Sequence, residues 1–299
     1  MDSLHHMKVF VAVAEAQGFA PAARQLGISP PAVTRAVAAL EDQLGAKLLN
    51  RTTRHVRMTE AGERYLQDAK KILQDVQAAN NAAAGVNTNP IGHLAVTAPV
   101  MFGRMFVMPT VLKYLEEYPD TTVDAIFLDR VVNLLEEGLD VGVRIGPLPD
   151  SSMRATKVGS VRLICCASPG YLKDHGIPQT PDDLERHRLV HSMAVSGTPL
   201  WKFEKDGQQF PTRISPKLSV TSNAAAIEAA LAGFGITRLL SYQVAPHLNS
   251  GAQKIVLEDY EPETKPIHIV HREGYLATAK VRAFIDMIAA DLRADKSLN

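Results

Sequence analysis

The sequence predicts an α/β chain with a small helical head, one long connecting helix and a larger body of alternating strands and helices. Three observations carry this expectation. Before residue 46, apolar residues recur three times at helical spacing, and each run is closed by a glycine. A single helical pattern then runs from Thr59 to about Gly85. From His93 onward, short β-prone runs alternate with helical ones.

With 299 residues, 46% apolar and 21% charged, the chain is long enough for two or three ordinary globular domains. The net charge is +0, so overall basicity does not advertise a polyanionic partner. Its distribution does. Between Arg24 and Arg57 stand Arg24, Arg35, Lys47, Arg51, Arg54 and Arg57, opposed only by Glu41 and Asp42. A short basic module on a mildly acidic remainder is the asymmetry of a nucleic-acid-binding head. No cationic segment leads into an apolar, cleavable stretch, and no apolar run approaches the roughly 20 residues that span a bilayer. A cytoplasmic location with no membrane partner is expected. Cys165 and Cys166 are adjacent in "VRLICCAS", where a strand points them to opposite faces. They are expected to be buried, reduced thiols, with neither a disulfide nor a metal clip.

The first helix starts after Asp2 or Ser3, carries Leu4, Met7, Phe10, Val11 and Ala14, and stops at Gly18. A second is opened by Pro21, runs through Leu26 and is closed by Gly27. Ser29 caps the third, Pro30 takes its first position and Gly45 ends it. Two helices joined by such a glycine turn have the geometry of a helix-turn-helix. On the third helix Val33, Val37, Leu40 and Leu44 form the expected buried stripe. Ser29, Pro30, Pro31, Thr34 and Arg35 lie away from it, where Thr and Arg suit base edges and phosphates of a major groove. The following "KLLNRTTRHVRMT" alternates short β-prone residues with arginines around a polar turn. It reads as a two-stranded wing, with Arg51, Thr52, Thr53 and Arg54 able to reach phosphates or the minor groove. This completes a winged helix-turn-helix over 1–58.

The run "FVAVAEAQGFAPAARQLGISPPAVTRAVAALEDQLGAKLLNRTTRHVRMTEAG" resembles, nearly without gaps, the N-terminal domain of LysR-type transcriptional regulators. Pro30 stands where that family commonly has Gln, Thr34 where it has Ser, and Leu49 where Phe is frequent. The resemblance implies a DNA-binding regulator that acts on double-stranded DNA and RNA polymerase as a homodimer or homotetramer.

Residues 59–91 read as a linker helix and hinge. Thr59 caps the helix, and Tyr65, Ala69, Ile72, Leu73, Val76, Ala79 or Asn80, and Ala83 fall at the three-four spacing of a helix-helix seam. "GVNTNPIG" then reads as the hinge. In the body, "HLAVTAP", "TTVDAIFLD", "DVGVRIG" and "RLICCAS" read as strands, and "MFGRMFVMPTVLKYLEEYP" and "VVNLLEEG" as helices. That rhythm implies a parallel sheet with helices on both faces. Residues 277–292 close the chain as a helix.

The body, 92–299, also resembles the regulatory domain of the same family, with "ASPGYL", "AGFGI" and "VRAFIDMI" as landmarks. The resemblance implies a two-lobed domain of the type II periplasmic-binding-protein fold. Lobe I would comprise 92–164 and 268–299, lobe II 165–267, with crossings near Leu163–Ser168 and Pro266–His271. A cleft between such lobes meets strand ends and helix N-termini, whose free N–H groups favour carboxylates. The candidates are Ala98, Pro99, Val100, Arg130, Arg144, Ile145, Gly146, Thr221, Ser222 and Asn223, with Thr237 and Arg238 on the other wall. A small organic anion is the expected effector. The competing reading pairs Arg130 and Arg144 with nearby aspartates.

No catalytic or cofactor motif is apparent, and no cofactor or metal is expected. "HRLVH" spaces His187 and His191 as metal ligands only if helical, and it reads as the start of a strand. Two other readings of the body stay open: a solute-binding protein, and an enzyme with a DNA-binding appendage.

Overall fold

The computed structural model describes residues 3–51, 56–83, 89–148, 153–272 and 278–298. The chain divides into two compact units, Met1–Gly92 and His93–Asn299.

The head contains α1 (Ser3–Glu15), α2 (Phe19–Leu26) and α3 (Pro30–Leu44), then strands β1 (Leu49–Arg51) and β2 (Val56–Met58), and α4 (Glu60–Ala83). Gly18 caps α2, which starts before Pro21, so the proline sits inside the first turn rather than opening it. Gly27 and Gly45 end α2 and α3 at φ 67° and 64°, left-handed geometry that glycine adopts without strain. Antiparallel β1 and β2 pair Leu49 with Met58 and Arg51 with Val56, as the wing reading requires.

Val9, Phe10, Val13, Ala22, Val33, Val37, Leu40, Leu48 and Leu66 build one core. The expected stripe on α3 fails at one position. Leu44 is exposed, and Glu41 is buried in its place. The reason is a set of three donors: Lys47 Nζ at 2.8 Å, Leu48 N at 2.9 Å and Leu49 N at 3.1 Å from the Glu41 carboxylate. Thr59 caps α4 as expected, its Oγ1 accepting from Gly62 N at 2.9 Å. The first turns of α4 are not free of the head, however. Leu66 and Ala69 are buried, Tyr65 packs 5.6 Å from the Phe10 ring, and Lys70 pairs with Glu15 at 2.8 Å. The head's core therefore continues past residue 58.

In the second unit, β3 (Gly92–Ala98), β4 (Thr121–Phe127), β5 (Val141–Ile145), β6 (Met153–Val161) and β14 (Lys265–Arg272) form one sheet in the order β4-β3-β5-β14-β6. A second sheet contains β7 (Leu163–Ala167), β8 (Leu189–Ser192), β11 (Leu218–Val220), β12 (Ile236–Leu240) and β13 (Lys254–Val256), ordered β11-β8-β12-β7-β13. Between them in sequence, β9 (Leu200–Lys205) and β10 (Gln208–Arg213) form a separate hairpin. The helices are α5 (Val100–Phe102), continued by a π turn into α6 (Met108–Glu117), then α7 (Pro169–His175), α8 (Asn223–Leu231), α9 (Ser241–Asn249) and α10 (Ala279–Ala294).

Two lobes are present, but the sheets are mixed rather than parallel. β3 and β5 are parallel, whereas β14 runs antiparallel to β5 and β6. A strand that returns from the other lobe needs no βαβ crossover and is free to run antiparallel. The crossings also lie slightly earlier than expected. Arg162 alone separates β6 from β7, and the return occupies 257–264, so Leu163 and Ile164 belong to lobe II and Lys265–Ile267 to lobe I. Arg162 joins the two crossings through Glu258 at 3.1 Å and Glu261 at 3.3 Å.

"VVNLLEEG" is a turn and not a helix. Asn133 Oδ1 accepts from Leu135 N at 3.0 Å, and Gly138 turns left-handed at φ 65°, closing the segment after one turn. Strand β6 escaped the sequence reading because Gly159 interrupts its pattern. A Cβ there would lie 2.4 Å from Leu298 O, so the glycine admits the C-terminal segment. At "GFG", a Cβ on Gly235 would meet Arg188 O at 2.1 Å, the close packing expected of that motif. Trp201 and Phe203 pack inside lobe II, and Cys165 and Cys166 are buried and free. Burial raises the Cys165 thiol to about 12, so neither chemistry nor charge recommends it as a reactive thiolate. No helix among the described residues is long and apolar enough to cross a membrane.

Candidate nucleic-acid interface and effector region

The first two turns of α3 present one continuous outer face. Ser29 stands at the cap, where its hydroxyl accepts from Ala32 N at 3.4 Å. Ser29, Pro30, Pro31 and Arg35 are exposed and Thr34 is half-buried, while Val33, Ala36 and Val37 turn inward. Two prolines are tolerated because the first turn of a helix has no internal partner for their missing N–H donors. What they leave outward is an apolar rim beside one hydroxyl and one guanidinium. That combination can touch thymine methyls and bond guanine or phosphate. The wing strands follow directly, but Thr52, Thr53 and Arg54 lie outside the described residues, as does the side chain of Arg51.

Glu41 is the residue that the pattern reading missed. It anchors the segment between α3 and the wing. Burial would raise its pKa, but hydrogen bonds from Lys47 and the Leu49 and Leu48 amides outweigh that and hold it below the ordinary 4.5. The available signal was an acid on the inward stripe, four residues after Val37 and followed by a lysine.

In lobe I the predicted effector residues gather at strand ends, yet most of their polar groups are already engaged. Leu128 N donates to Ala98 O at 2.9 Å, and Asp129 Oδ1 accepts from Val100 N at 3.0 Å. Arg130 is bound in a fork to Glu137 at 2.7 and 3.0 Å, so the ion-pair reading holds for it with a different partner. Arg144 donates to the Val132 carbonyl, and burial lowers its pKa. Gly146 N donates to Pro266 O at 2.8 Å. In lobe II, Ser222 caps α8 by accepting from Ala225 N at 3.4 Å, and Asn223 Oδ1 accepts from Ser192 Oγ at 2.6 Å. Ile145 is half-buried, Thr221 is exposed, and Ala98 is buried. Thr237 is not on a cleft wall: it is fully buried and donates to Val190 O at 3.1 Å. Its strand neighbour Arg238 points to the opposite face, as alternation demands. His191 lies in strand β8, as the sequence predicts.

Both parts match models of one family. Residues 4–63 match "Bacterial regulatory helix-turn-helix protein, lysR family", and residues 87–293 match "LysR substrate binding domain". The chain belongs to the LysR family. It is a DNA-binding transcriptional regulator with an effector-binding C-terminal domain. Relatives of this LysR-type regulator include CrgA of Neisseria meningitidis, 32% identical over 96% of this chain and 96% of that one. The transcriptional activator AaeR of Escherichia coli is 32% identical over 96% of this chain and 93% of its own length. The solved structure of CrgA covers 96% of this chain and 98% of its own at TM-score 0.62 and 31% identity. Full-length AphB, described as a virulence activator of Vibrio cholerae, matches with TM-score 0.62 over 96% of this regulator and 98% of its own chain, at 26% identity.

At position 30 the resemblance drawn from the sequence implies Gln, and the chain has Pro30. Pro30 cannot make the bidentate bond to adenine that Gln can, so a Pro30→Gln variant is expected to shift the preferred operator toward adenine at one position per half-site. Selection of binding sites from random DNA reads this directly, and an unchanged base preference would show that position 30 does not face the groove.

Proposed function

We propose that this LysR-type regulator works in the cytoplasm without catalytic activity, as a homodimer or a pair of dimers. It reads promoter half-sites with Ser29, Pro30, Pro31, Thr34 and Arg35, and grips the backbone with Arg51, Thr52, Thr53 and Arg54 of the wing. The exposed face of α3 carries this reading. Pairing through α4 is supported by Ile72, an exposed apolar side chain just beyond the turns that pack on the head. The effector is a small organic anion held by the C-terminal domain. Its binding changes the relation of the lobes and so the bend or spacing of the bound DNA, acting on RNA polymerase.

Arg51→Ala is expected to weaken binding to specific and unrelated DNA alike and to reduce the salt slope by about one phosphate contact. A titration over several salt concentrations checks this, and an unchanged slope removes Arg51 from the backbone contacts.

A further inference from the structure

Lobe II contains a cavity of about 420 Å³ that, of the predicted effector residues, only Arg238 lines. Its buried lining includes Arg238 of β12, His191 of β8 and Trp201 of β9, which are 5%, 3% and 3% exposed. The apolar lining comes from Leu163, Val195 and Leu200.

Two features mark it as built for a polar guest. The Arg238 guanidinium donates to the Lys202 carbonyl and lies 4.6 Å from the Phe203 ring centroid, but its Nε has no partner. Among the described residues it forms no ion pair, and Glu261, whose charge reaches it, is instead paired with Arg162 at 3.3 Å. A guanidinium stays charged even when buried, so an uncompensated one is costly. The second feature is His191, whose Nε2 is also unpartnered. Burial lowers the pKa of this ring, while a hydrogen bond to the Ser196 backbone opposes that. An unpartnered ring nitrogen is satisfied by a hydroxyl, which can donate to it or accept from it. A buried cation without an anionic partner and an unpartnered ring nitrogen thus stand in one partly apolar cavity.

We infer that this cavity is the seat of a small hydroxylated carboxylate with a compact apolar body. Its carboxylate meets Arg238, its hydroxyl bonds His191 Nε2, and its apolar part lies against Trp201 and Leu163. The inference rests on the reading of the C-terminal domain as the binder of an organic anion, and moves the site away from the strand ends. Pro262 and Glu263 of the return crossing and Lys265, the first residue of β14, also line the cavity, so an occupant touches lobe II, the crossing and the start of β14. That contact couples occupancy to the hinge.

Trp201 is the chain's single tryptophan, so its emission reports this cavity and no other. The full chain is titrated with α-hydroxyisocaproate and with isocaproate, which lacks the hydroxyl, following Trp201 fluorescence and melting temperature together. The hydroxy acid is expected to change the emission saturably, and isocaproate to bind at least about tenfold more weakly because His191 Nε2 is left unpaired. Arg238→Lys is expected to weaken binding about tenfold. Thr198→Glu places a negative charge on the exposed lining without touching a buried residue, and should weaken it likewise even if Arg238→Lys fails to fold. Absence of a saturable emission change in the wild-type chain overturns the inference, as does a response that Thr198→Glu leaves unchanged. A raised melting temperature with silent Trp201 emission also overturns it, while leaving the anion-binding reading standing.

Discussion

Gly62→Ala is expected to destabilise the head by about 3 kcal/mol and to abolish DNA binding at physiological temperature. A Cβ on Gly62 would lie 2.0 Å from Leu48 O, a backbone atom that cannot swing aside as a side chain can. The same carbonyl accepts from Thr59 N at 2.9 Å and from Thr59 Oγ1 at 3.3 Å. Admitting a methyl group therefore means separating the start of the wing from the start of α4 and losing those bonds. For a unit of this size the loss corresponds to a fall in melting temperature of roughly 10 °C or more. Calorimetry of the full chain should show the head's transition displaced and the transition of the C-terminal domain unmoved. A head that melts at its original temperature would contradict the close approach.

The second large effect is at Glu41. Glu41→Ala leaves the buried Leu48 and Leu49 amides without their shared acceptor and Lys47 without its partner, a loss of about 3 kcal/mol at neutral pH. Glu41→Gln keeps one acceptor oxygen and is expected to cost less. The pH dependence has a definite sign. The folded state lowers the Glu41 pKa, so its charge contributes stability that is complete above the ordinary 4.5 and is lost as pH falls through the lower folded value. The stability gap between wild type and Glu41→Gln should be constant at neutral pH and shrink below about 4.5. Urea denaturation across that range tests it, and a gap that widens on acidification would show that the carboxylate is not held ionised.

The head was largely legible because its signals are local. Glycines at positions 27 and 45 need left-handed backbone, Ser29 and Thr59 cap, and the apolar spacing of α1 and α3 finds one core. Besides the start of α2, it misled where a long-range partner decided the outcome, as at Glu41 and Leu44: no period reveals that Leu48 and Leu49 bring two amides to an acid on the inward stripe. The body was less legible for the same reason. The direction of β14 depends on its arrival from the other lobe, and Gly159 hides β6 because its role is to admit Leu298, far away in sequence. The strand-end residues were placed correctly in the topology, but their donors face partners such as Asp129, Glu137 and Pro266 that spacing does not disclose. The sequence reading offers Arg238 as a cleft-wall residue, but only the strands side by side bring it beside His191.

On the proposed function, the outer face of α3 reads DNA sequence. The most direct test is selection of binding sites from a random duplex pool by the full-length protein and by Arg35→Ala. The wild type should enrich a two-fold-symmetric motif whose half-sites are separated by whole helical turns, and Arg35→Ala should lose preference at one position in each half-site, about 1–3 kcal/mol of discrimination. Enrichment of an identical motif by both proteins would contradict the claim.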